Sequence, residues 1–221
     1  MRLAHPVTAV IFDMDGVLLD TERLYTEATQ RIVGRFGKVF DWSIKGHMIG
    51  RPARDSARYL VDALQLPITP DDYLRERETL FETLMPTAEA VPGARALVEA
   101  LDARGVPMAV ATSSANRLFD LKITRHRDWF ARFRVVVNGD DPRIGHGKPA
   151  PDIYLLAARE LGVVPERCLA IEDAPAGVAS ARAAGMQVIA VPDPALGRDR
   201  VADAHLVLDS LLELRPTDLG F

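Results

Sequence analysis

Two aspartates separated by one residue, Asp13 and Asp15, come directly after the first apolar run of the sequence, residues 8–12. Carboxylates at this spacing can leave a strand end side by side, so that one can attack a substrate while the other transfers a proton. Gly16 would let the chain turn sharply after them. Taken alone, the pair could equally be two aspartates that cap a turn.

A cluster of hydroxyl and amide side chains ends the second apolar run and opens a predicted helix. A hydroxyl beside helical N–H groups can hold the oxygens of a phosphate group. Thr112, Ser113 and Asn116 are therefore candidate phosphate-binding residues. The alternative for Thr112 is an ordinary helix N-cap, which Ser and Thr often provide.

A lysine and a pair of acids follow two later apolar runs. Pro149 and Pro151 stiffen the backbone around Lys148, which suits a fixed positive charge near a phosphoryl group; the alternative is an ordinary surface lysine. Glu172 and Asp173 are adjacent acids that would repel each other without a cation. A few hard oxygen ligands suit Mg²⁺, although Asp173 could instead cap the next helix.

The elements that must position these clusters are short, continuous apolar runs that alternate with helical patterns. This alternation predicts parallel strands covered on both faces and a doubly wound α/β sheet. Ligands of such sheets bind beyond the carboxyl ends of the strands, where all four clusters fall. The predicted strands are residues 8–12, 106–111, 135–137, 168–171, 188–191 and 206–208.

The interval between the first and second strands reads as helical only, as far as Met85. Helices are predicted at residues 22–36, 53–66 and 71–85, and Asp20 is expected to cap the first of them. We therefore predict a helical cap domain inserted into a Rossmann-like α/β core. The predicted boundaries are 20–87 for the cap and 1–19 plus 88–221 for the core.

The composition of the chain argues against several classes of protein. The chain has 221 residues, 48% of them apolar, and a net charge of −4, which does not suggest a nucleic-acid-binding protein. A single cysteine excludes an internal disulfide and favours the cytoplasm. No apolar stretch approaches the roughly 20 residues that span a bilayer. We expect a cytoplasmic monomer that binds neither nucleic acid nor membrane.

The motifs together resemble the haloacid dehalogenase superfamily, in its branch with a helical cap between the first two motifs. The likeness rests on the segment from Phe12 to Glu22, on Lys148-Pro149 and on Glu172-Asp173-Ala174, and it covers nearly the whole chain. Four further segments are similar to the pseudouridine-5′-phosphatase and glycerol-3-phosphatase group. These segments are residues 112–114, 122–133, 139–142 and 185–188.

The resemblance implies a magnesium-dependent phosphatase for a small phosphorylated metabolite. Asp13 would attack phosphorus and carry an aspartyl-phosphate. Asp15 would protonate the leaving oxygen, then activate water, and lend its backbone carbonyl to Mg²⁺. Thr112 and Lys148 would bind the transferring phosphoryl group, and Lys148 would help keep Asp13 ionised.

The resemblance also implies a set of metal ligands. Asp13, Asp15 and Asp173 would hold Mg²⁺, with Glu172 in or beside its coordination sphere. The metal would then allow a carboxylate and a phosphoryl oxygen to approach each other. Arg51 is a further candidate substrate-binding residue, on a loop of the cap.

Two other activities and one non-catalytic role are weighed against hydrolysis. True haloacid dehalogenases lack the second aspartate, so Asp15 argues against carbon–halogen chemistry. β-Phosphoglucomutase has a histidine where this chain has Tyr25, and its phosphate-binding arginine has no clean match near residues 50–54. A non-catalytic phosphate sensor would usually lose the nucleophile or the lysine, and this chain has both.

Overall fold

The computed structural model describes residues 6–48 and 53–221. Its strands are β1 (Ala9–Phe12), β2 (Met108–Thr112), β3 (Val135–Asn138), β4 (Cys168–Glu172), β5 (Gln187–Ala190) and β6 (Leu206–Val207). They form one parallel sheet in the order β3-β2-β1-β4-β5-β6. All six predicted strands are present, and the predicted doubly wound α/β fold is confirmed.

Helices lie between the strands and above the sheet. They are α1 (Glu22–Gly34), α2 (Trp42–Met48), α3 (Ala53–Leu64), α4 (Pro70–Leu84), α5 (Ala94–Asp102), α6 (Asn116–Lys122), α7 (Arg127–Phe130), α8 (Asp152–Leu161) and α9 (Pro175–Ala183). Over the described ranges, none of them has both the length and the apolarity that crossing a bilayer requires.

Both faces of the sheet are covered. The strands β1, β2, β4 and β5 are buried along their whole length, as expected for parallel strands between two helical layers. Val10 and Phe12 point into one core, whereas Ala9 and Ile11 point into the other. Burying Phe12 completely contributes about 1.5–3 kcal/mol to stability. This burial anchors the end of β1, which directly precedes Asp13.

The helices α1 to α4 form the inserted cap around a core of their own, which includes Ile32, Leu60 and Tyr73. Helix α4 begins with a capping box between Thr69 and Asp72. The three predicted cap helices are present with slightly shifted ends. Helix α2 was not predicted, because its seven residues include none that is fully buried and so carry no clear apolar stripe.

The two segments that join the cap to the core lie side by side. The N–H of Asp20 donates to the carbonyl of Glu89 at 2.8 Å, and the N–H of Val91 donates to the carbonyl of Leu18 at 3.0 Å. The expectation that Asp20 caps α1 is wrong. The N-cap is Thr21, and its hydroxyl makes no capping bond because it points towards the aspartate pair.

Candidate active site

The register of the central strands sets the positions of the first site residues. Phe12 pairs with Ile171 of β4 and with Val110 of β2, so Asp13 lies level with Glu172. The N–H of Asp13 donates to the carbonyl of Ile171 at 2.9 Å, which extends the ladder past the end of β1. The parallel sheet therefore brings residues from distant parts of the chain to one edge.

Lys148 joins two of these carboxylates. Its Nζ donates to Asp13 Oδ1 at 2.5 Å and to Glu172 Oε1 at 2.6 Å, and its side chain is 8% exposed. The hydroxyl of Tyr154, from α8, also donates to Glu172 Oε1 at 2.6 Å. Lys148 is thus a buried charge held between two acids, and the alternative of an ordinary surface lysine is excluded.

Three carboxylates converge beside this lysine. Asp13, Glu172 and Asp173 can each offer one oxygen, and these oxygens lie within 4.8 Å of one another. Burial, reinforced by the charges of Glu172 and Asp15, raises the pKa of Asp13 to about 7 even though Lys148 lowers it. Burial and the charges of Asp13 and Glu172 likewise raise the pKa of Asp173 well above its usual range. Lys148 alone does not balance this acidic group, and the donor set fits a hard divalent cation.

Two glycines make room for the acids. A Cβ on Gly177 would lie 1.8 Å from Glu172 Oε1, and a Cβ on Gly16 would lie 2.2 Å from Asp173 Oδ2. Gly16 also has a φ of +77°, which confirms the sharp turn predicted after the aspartate pair. Larger residues at either position would displace a carboxylate.

Asp15 belongs to a second cluster, which sequence reasoning missed. Nζ of Lys122 donates to Asp15 Oδ1, to Ser114 Oγ at 2.7 Å and to the hydroxyl of Tyr25 at 2.8 Å. Thr21 Oγ1 also donates to Asp15 Oδ1, and Ser114 Oγ donates to Oδ2 at 3.0 Å. Although burial acts to raise it, the pKa of Asp15 is lowered, because the charge of Lys122 and the hydrogen bonds from Lys122, Thr21 and Ser114 together outweigh burial.

A signal for this second cluster exists in the sequence. Lys122 lies among apolar residues of α6, between the buried Phe119 and the buried Ile123. A lysine on the apolar face of a helix needs a buried partner, because an unpaired buried charge is very unfavourable. That position could have marked Lys122, but nothing in the sequence indicates that Asp15 is its partner.

The candidate phosphate-binding residues differ in whether they lie at this site. Thr112 is buried, and its Oγ1 accepts the N–H of Ser114 at 3.1 Å and lies 3.5 Å from Asp15 Oδ2. Ser113 is exposed and lines the cavity at the aspartate pair. The structure does not bring Asn116 to this cavity, because its side-chain oxygen accepts a hydrogen bond from Asn138 at 3.0 Å. Arg51 lies outside the described residues.

Two cavities meet at Asp15. One, of about 550 Å³, contains the carboxylates and Lys148, and the other, of about 590 Å³, extends between cap and core past Tyr25 and Lys45. The residues that line both are Asp15, Glu22, Ala53 and Ser113. Fold and site together define an α/β protein with an acidic, lysine-containing centre beneath a helical cap.

Comparison with known proteins gives that architecture a family. A family model described as haloacid dehalogenase-like hydrolase matches residues 7–185. The chain is 45% identical to (DL)-glycerol-3-phosphatase 1, mitochondrial, from Arabidopsis thaliana, over 97% of this chain and 74% of that protein. It is 42% identical to a probable pseudouridine-5′-phosphatase from Drosophila melanogaster, over 99% of this chain and 96% of that protein.

A solved structure resembles the whole chain. A HAD family hydrolase from Deinococcus radiodurans R1, with bound phosphate and sodium, has a TM-score of 0.81 and 31% identity over 97% of each chain. The protein described here belongs to the haloacid dehalogenase-like hydrolase family. The resemblance inferred from its motifs is confirmed, as is the expectation that it is an enzyme of this family's phosphatase type.

Proposed function

We propose that this chain hydrolyses a small phosphomonoester through an aspartyl-phosphate, with Mg²⁺ as cofactor. The observation that carries the proposal is the convergence of Asp13, Lys148 and the acids Glu172 and Asp173 on one cavity. The phosphatase names of the two relatives support it. Positioning and charge neutralisation of this kind are what phosphoryl transfer requires.

The chemistry divides into two displacements at phosphorus. A carboxylate oxygen of Asp13 bonds to phosphorus as the bond from phosphorus to the leaving oxygen breaks. Because its pKa is lowered, Asp15 must first take up a proton, and it then gives that proton to the leaving oxygen. Asp15 then takes a proton from water, whose oxygen bonds to phosphorus as the bond to Asp13 breaks. Inorganic phosphate is released, and both aspartates return to their starting states. Lys148, Thr112 and Ser113 would bind the phosphoryl oxygens.

The cation would be held by Asp13 and Asp173, with Glu172 beside them and Asp15 contributing its backbone carbonyl. The carboxylate of Asp15 is not part of the acidic group, since Lys122 and Ser114 bind it. When bound, Mg²⁺ neutralises charge, so that an anionic substrate can approach an anionic nucleophile.

The second cavity supports a polar leaving group. Its lining includes Lys45, whose Nζ donates to Thr26 Oγ1 at 3.0 Å and pairs with Glu22 Oε2 at 3.0 Å. These polar side chains line one part of a cavity of about 590 Å³ whose remaining lining is mostly apolar, a combination that suits a sugar, polyol or nucleoside phosphate. The names of the relatives point to glycerol 3-phosphate and pseudouridine 5′-phosphate as first candidates. A monomer in the cytoplasm stays a prediction, and one relative is named as mitochondrial.

The environment of Tyr25 favours hydrolysis over a phosphomutase reaction. The tyrosine occupies the position where the mutase has a histidine, and its hydroxyl accepts a hydrogen bond from Lys122. Burial and the charge of Asp15 raise the pKa of Tyr25 to about 12. At neutral pH the phenol therefore does not exchange protons as an imidazole would.

The decisive experiment replaces the nucleophile. Asp13→Asn should abolish phosphate release from a panel of sugar, polyol and nucleoside phosphates while leaving the circular dichroism spectrum unchanged. Asp62→Asn, on the exposed surface of α3, is the matched control and should retain turnover. EDTA should stop the wild-type reaction, and added Mg²⁺ should restore it. Turnover by Asp13→Asn would exclude the covalent route.

A further inference from the structure

Lys122 is a buried lysine to which the steps above give no role. It belongs to the core helix α6, its side chain is 0% exposed, and its Nζ contacts Asp15, Ser114 and Tyr25. An ammonium group has three N–H donors, and each therefore has an acceptor. Burying a lysine so completely is unfavourable unless the partners are in place, so the chain keeps a charge here against a large desolvation penalty.

The contacts fix the carboxylate of Asp15 from two sides. Lys122 and Ser114 hold it from the core, and Thr21 holds it from the segment that leads into the cap. We propose that Lys122 is a positioning residue that orients the Asp15 carboxylate towards the leaving oxygen. We also propose that Tyr25 makes this orientation depend on the cap. The inference rests on the proposed function, in which Asp15 transfers a proton to that oxygen.

Tyr25 provides the link to the cap. It lies on α1, its ring packs edge-on against Phe81 of α4 with centroids 5.1 Å apart, and Nζ of Lys122 lies 5.0 Å from the Tyr25 ring centroid. Tyr25 also lines the second cavity, next to the space proposed for the leaving group. A leaving group in that space contacts the residue that holds Lys122, so its binding and the placement of the proton donor are connected.

The test compares two esters that differ in their need for a proton. Glycerol 3-phosphate expels an alkoxide, which must be protonated, whereas 4-nitrophenyl phosphate expels a phenolate that the ring stabilises. The measurement is the rate of alcohol release in the first turnover of the Mg²⁺-loaded enzyme. Lys122→Met should lower this rate about 100-fold for glycerol 3-phosphate, which is within the usual range for acid–base catalysis. For the aryl ester, the same variant should lower the rate by no more than about tenfold.

Controls separate positioning from a structural role. Phe119→Leu, in the same helix and packed against Phe130, should lower the melting temperature but change both rates by the same factor. In a double-mutant cycle, Lys122→Met should add little to Asp15→Asn, because both changes remove the same proton transfer. Equal losses on the two esters, or additive losses in the cycle, would overturn the inference.

A second variant decides the matter if Lys122→Met does not fold. Tyr25→Phe keeps the ring and removes one of the three acceptors of Lys122. It should slow the first turnover of glycerol 3-phosphate several-fold and that of the aryl ester less. Unchanged rates on both esters would contradict the coupling. Activity of Asp13→Asn would instead contradict the proposed function, so that the two failures remain distinguishable.

Discussion

Two buried lysines flank the aspartate pair, and each binds one of its members. Lys148 bonds to Asp13 and Lys122 bonds to Asp15, and a tyrosine hydroxyl lies beside each ammonium. The two aspartates nevertheless have opposite pKa shifts. The pKa of Asp13 is raised to about 7, whereas the pKa of Asp15 is lowered.

The two pKa shifts differ because the two lysines contact different numbers of acids. Lys148 contacts Asp13 and Glu172 and has Asp173 close by, so burial and mutual repulsion of the acids outweigh one positive charge. Lys122 serves a single carboxylate, with hydroxyl groups as its other partners. The first cluster is therefore short of positive charge, which is what a cation site needs, whereas the second is balanced without a metal.

Removing Lys148 should have the largest effect. Lys148→Met would leave buried carboxylates without their cation, so we expect loss of turnover and a decrease of about 3–5 kcal/mol in the free energy of unfolding in EDTA. Urea denaturation and phosphate release measure the two effects. Arg31→Met is the control, because its ion pair with Glu27 on α1 is largely exposed and should contribute only about 0.2–1 kcal/mol. Equal destabilisation by both variants would mean that the acidic cluster is not short of positive charge.

Filling the space beside Glu172 should have the next largest effect. Gly177→Ala places a methyl group where Glu172 lies, so we expect a loss of about 1–3 kcal/mol in stability and at least a tenfold drop in kcat/KM. Gly46→Ala, in α2, meets no atom within 4 Å and should stabilise the protein by about 0.5–1 kcal/mol. Thermal unfolding and steady-state kinetics distinguish the two. Wild-type kinetics for Gly177→Ala would show that the position of Glu172 is not critical.

The comparison also explains which part of the site could be predicted from sequence. Asp13, Glu172 and Asp173 directly follow or end strands, and the carboxyl ends of parallel strands meet at one edge whatever the helices do. Lys148 lies on a loop beyond β3, and its neighbouring prolines indicated a fixed backbone. Strand order and local stiffness were therefore sufficient for the first cluster and for the doubly wound fold.

The second cluster depends on how helices pack, and sequence periodicity does not report that. Lys122 reaches Asp15, and Tyr25 reaches Lys122, only because α6 and α1 lie over the same strand ends. The same uncertainty accounts for Asn116, which starts α6 but faces Asn138 rather than the cavity. Thr21 rather than Asp20 is the N-cap of α1, and its hydroxyl binds Asp15 instead of capping the helix, a tertiary contact that no capping rule includes.

The opposite pKa shifts predict opposite pH dependences of stability in metal-free protein. The folded state holds the proton of Asp13 more tightly than the unfolded chain does, so this stabilisation is complete below about pH 3.8 and is lost as the pH rises to about 7. Asp13→Asn should therefore flatten the decline between these values by an amount on the order of 1 kcal/mol or more.

Asp15 should show the reverse behaviour. Because its pKa is lowered, its stabilisation is present above the unfolded value of 3.8 and is lost as the pH falls through the folded value. Asp15→Asn should thus destabilise the protein at neutral pH and reduce the loss of stability in acid. Urea denaturation from pH 3 to 8 in EDTA measures both profiles. Parallel profiles for the two variants would contradict the opposite pKa shifts of the two aspartates.

The smallest expected effect is the difference in stability loss between replacing Tyr154 and replacing Tyr25. Tyr154→Phe removes a buried donor to Glu172, which is already short of positive charge, so we expect a loss of about 1–3 kcal/mol. Tyr25→Phe removes an acceptor from Lys122, but Lys122 keeps Asp15 and Ser114, and water in the second cavity can replace the phenol. Its loss should be about 0.5–1 kcal/mol in the same urea titration. A larger loss for Tyr25→Phe would mean that the link between cap and core contributes more to stability than the charge balance of the acidic cluster does.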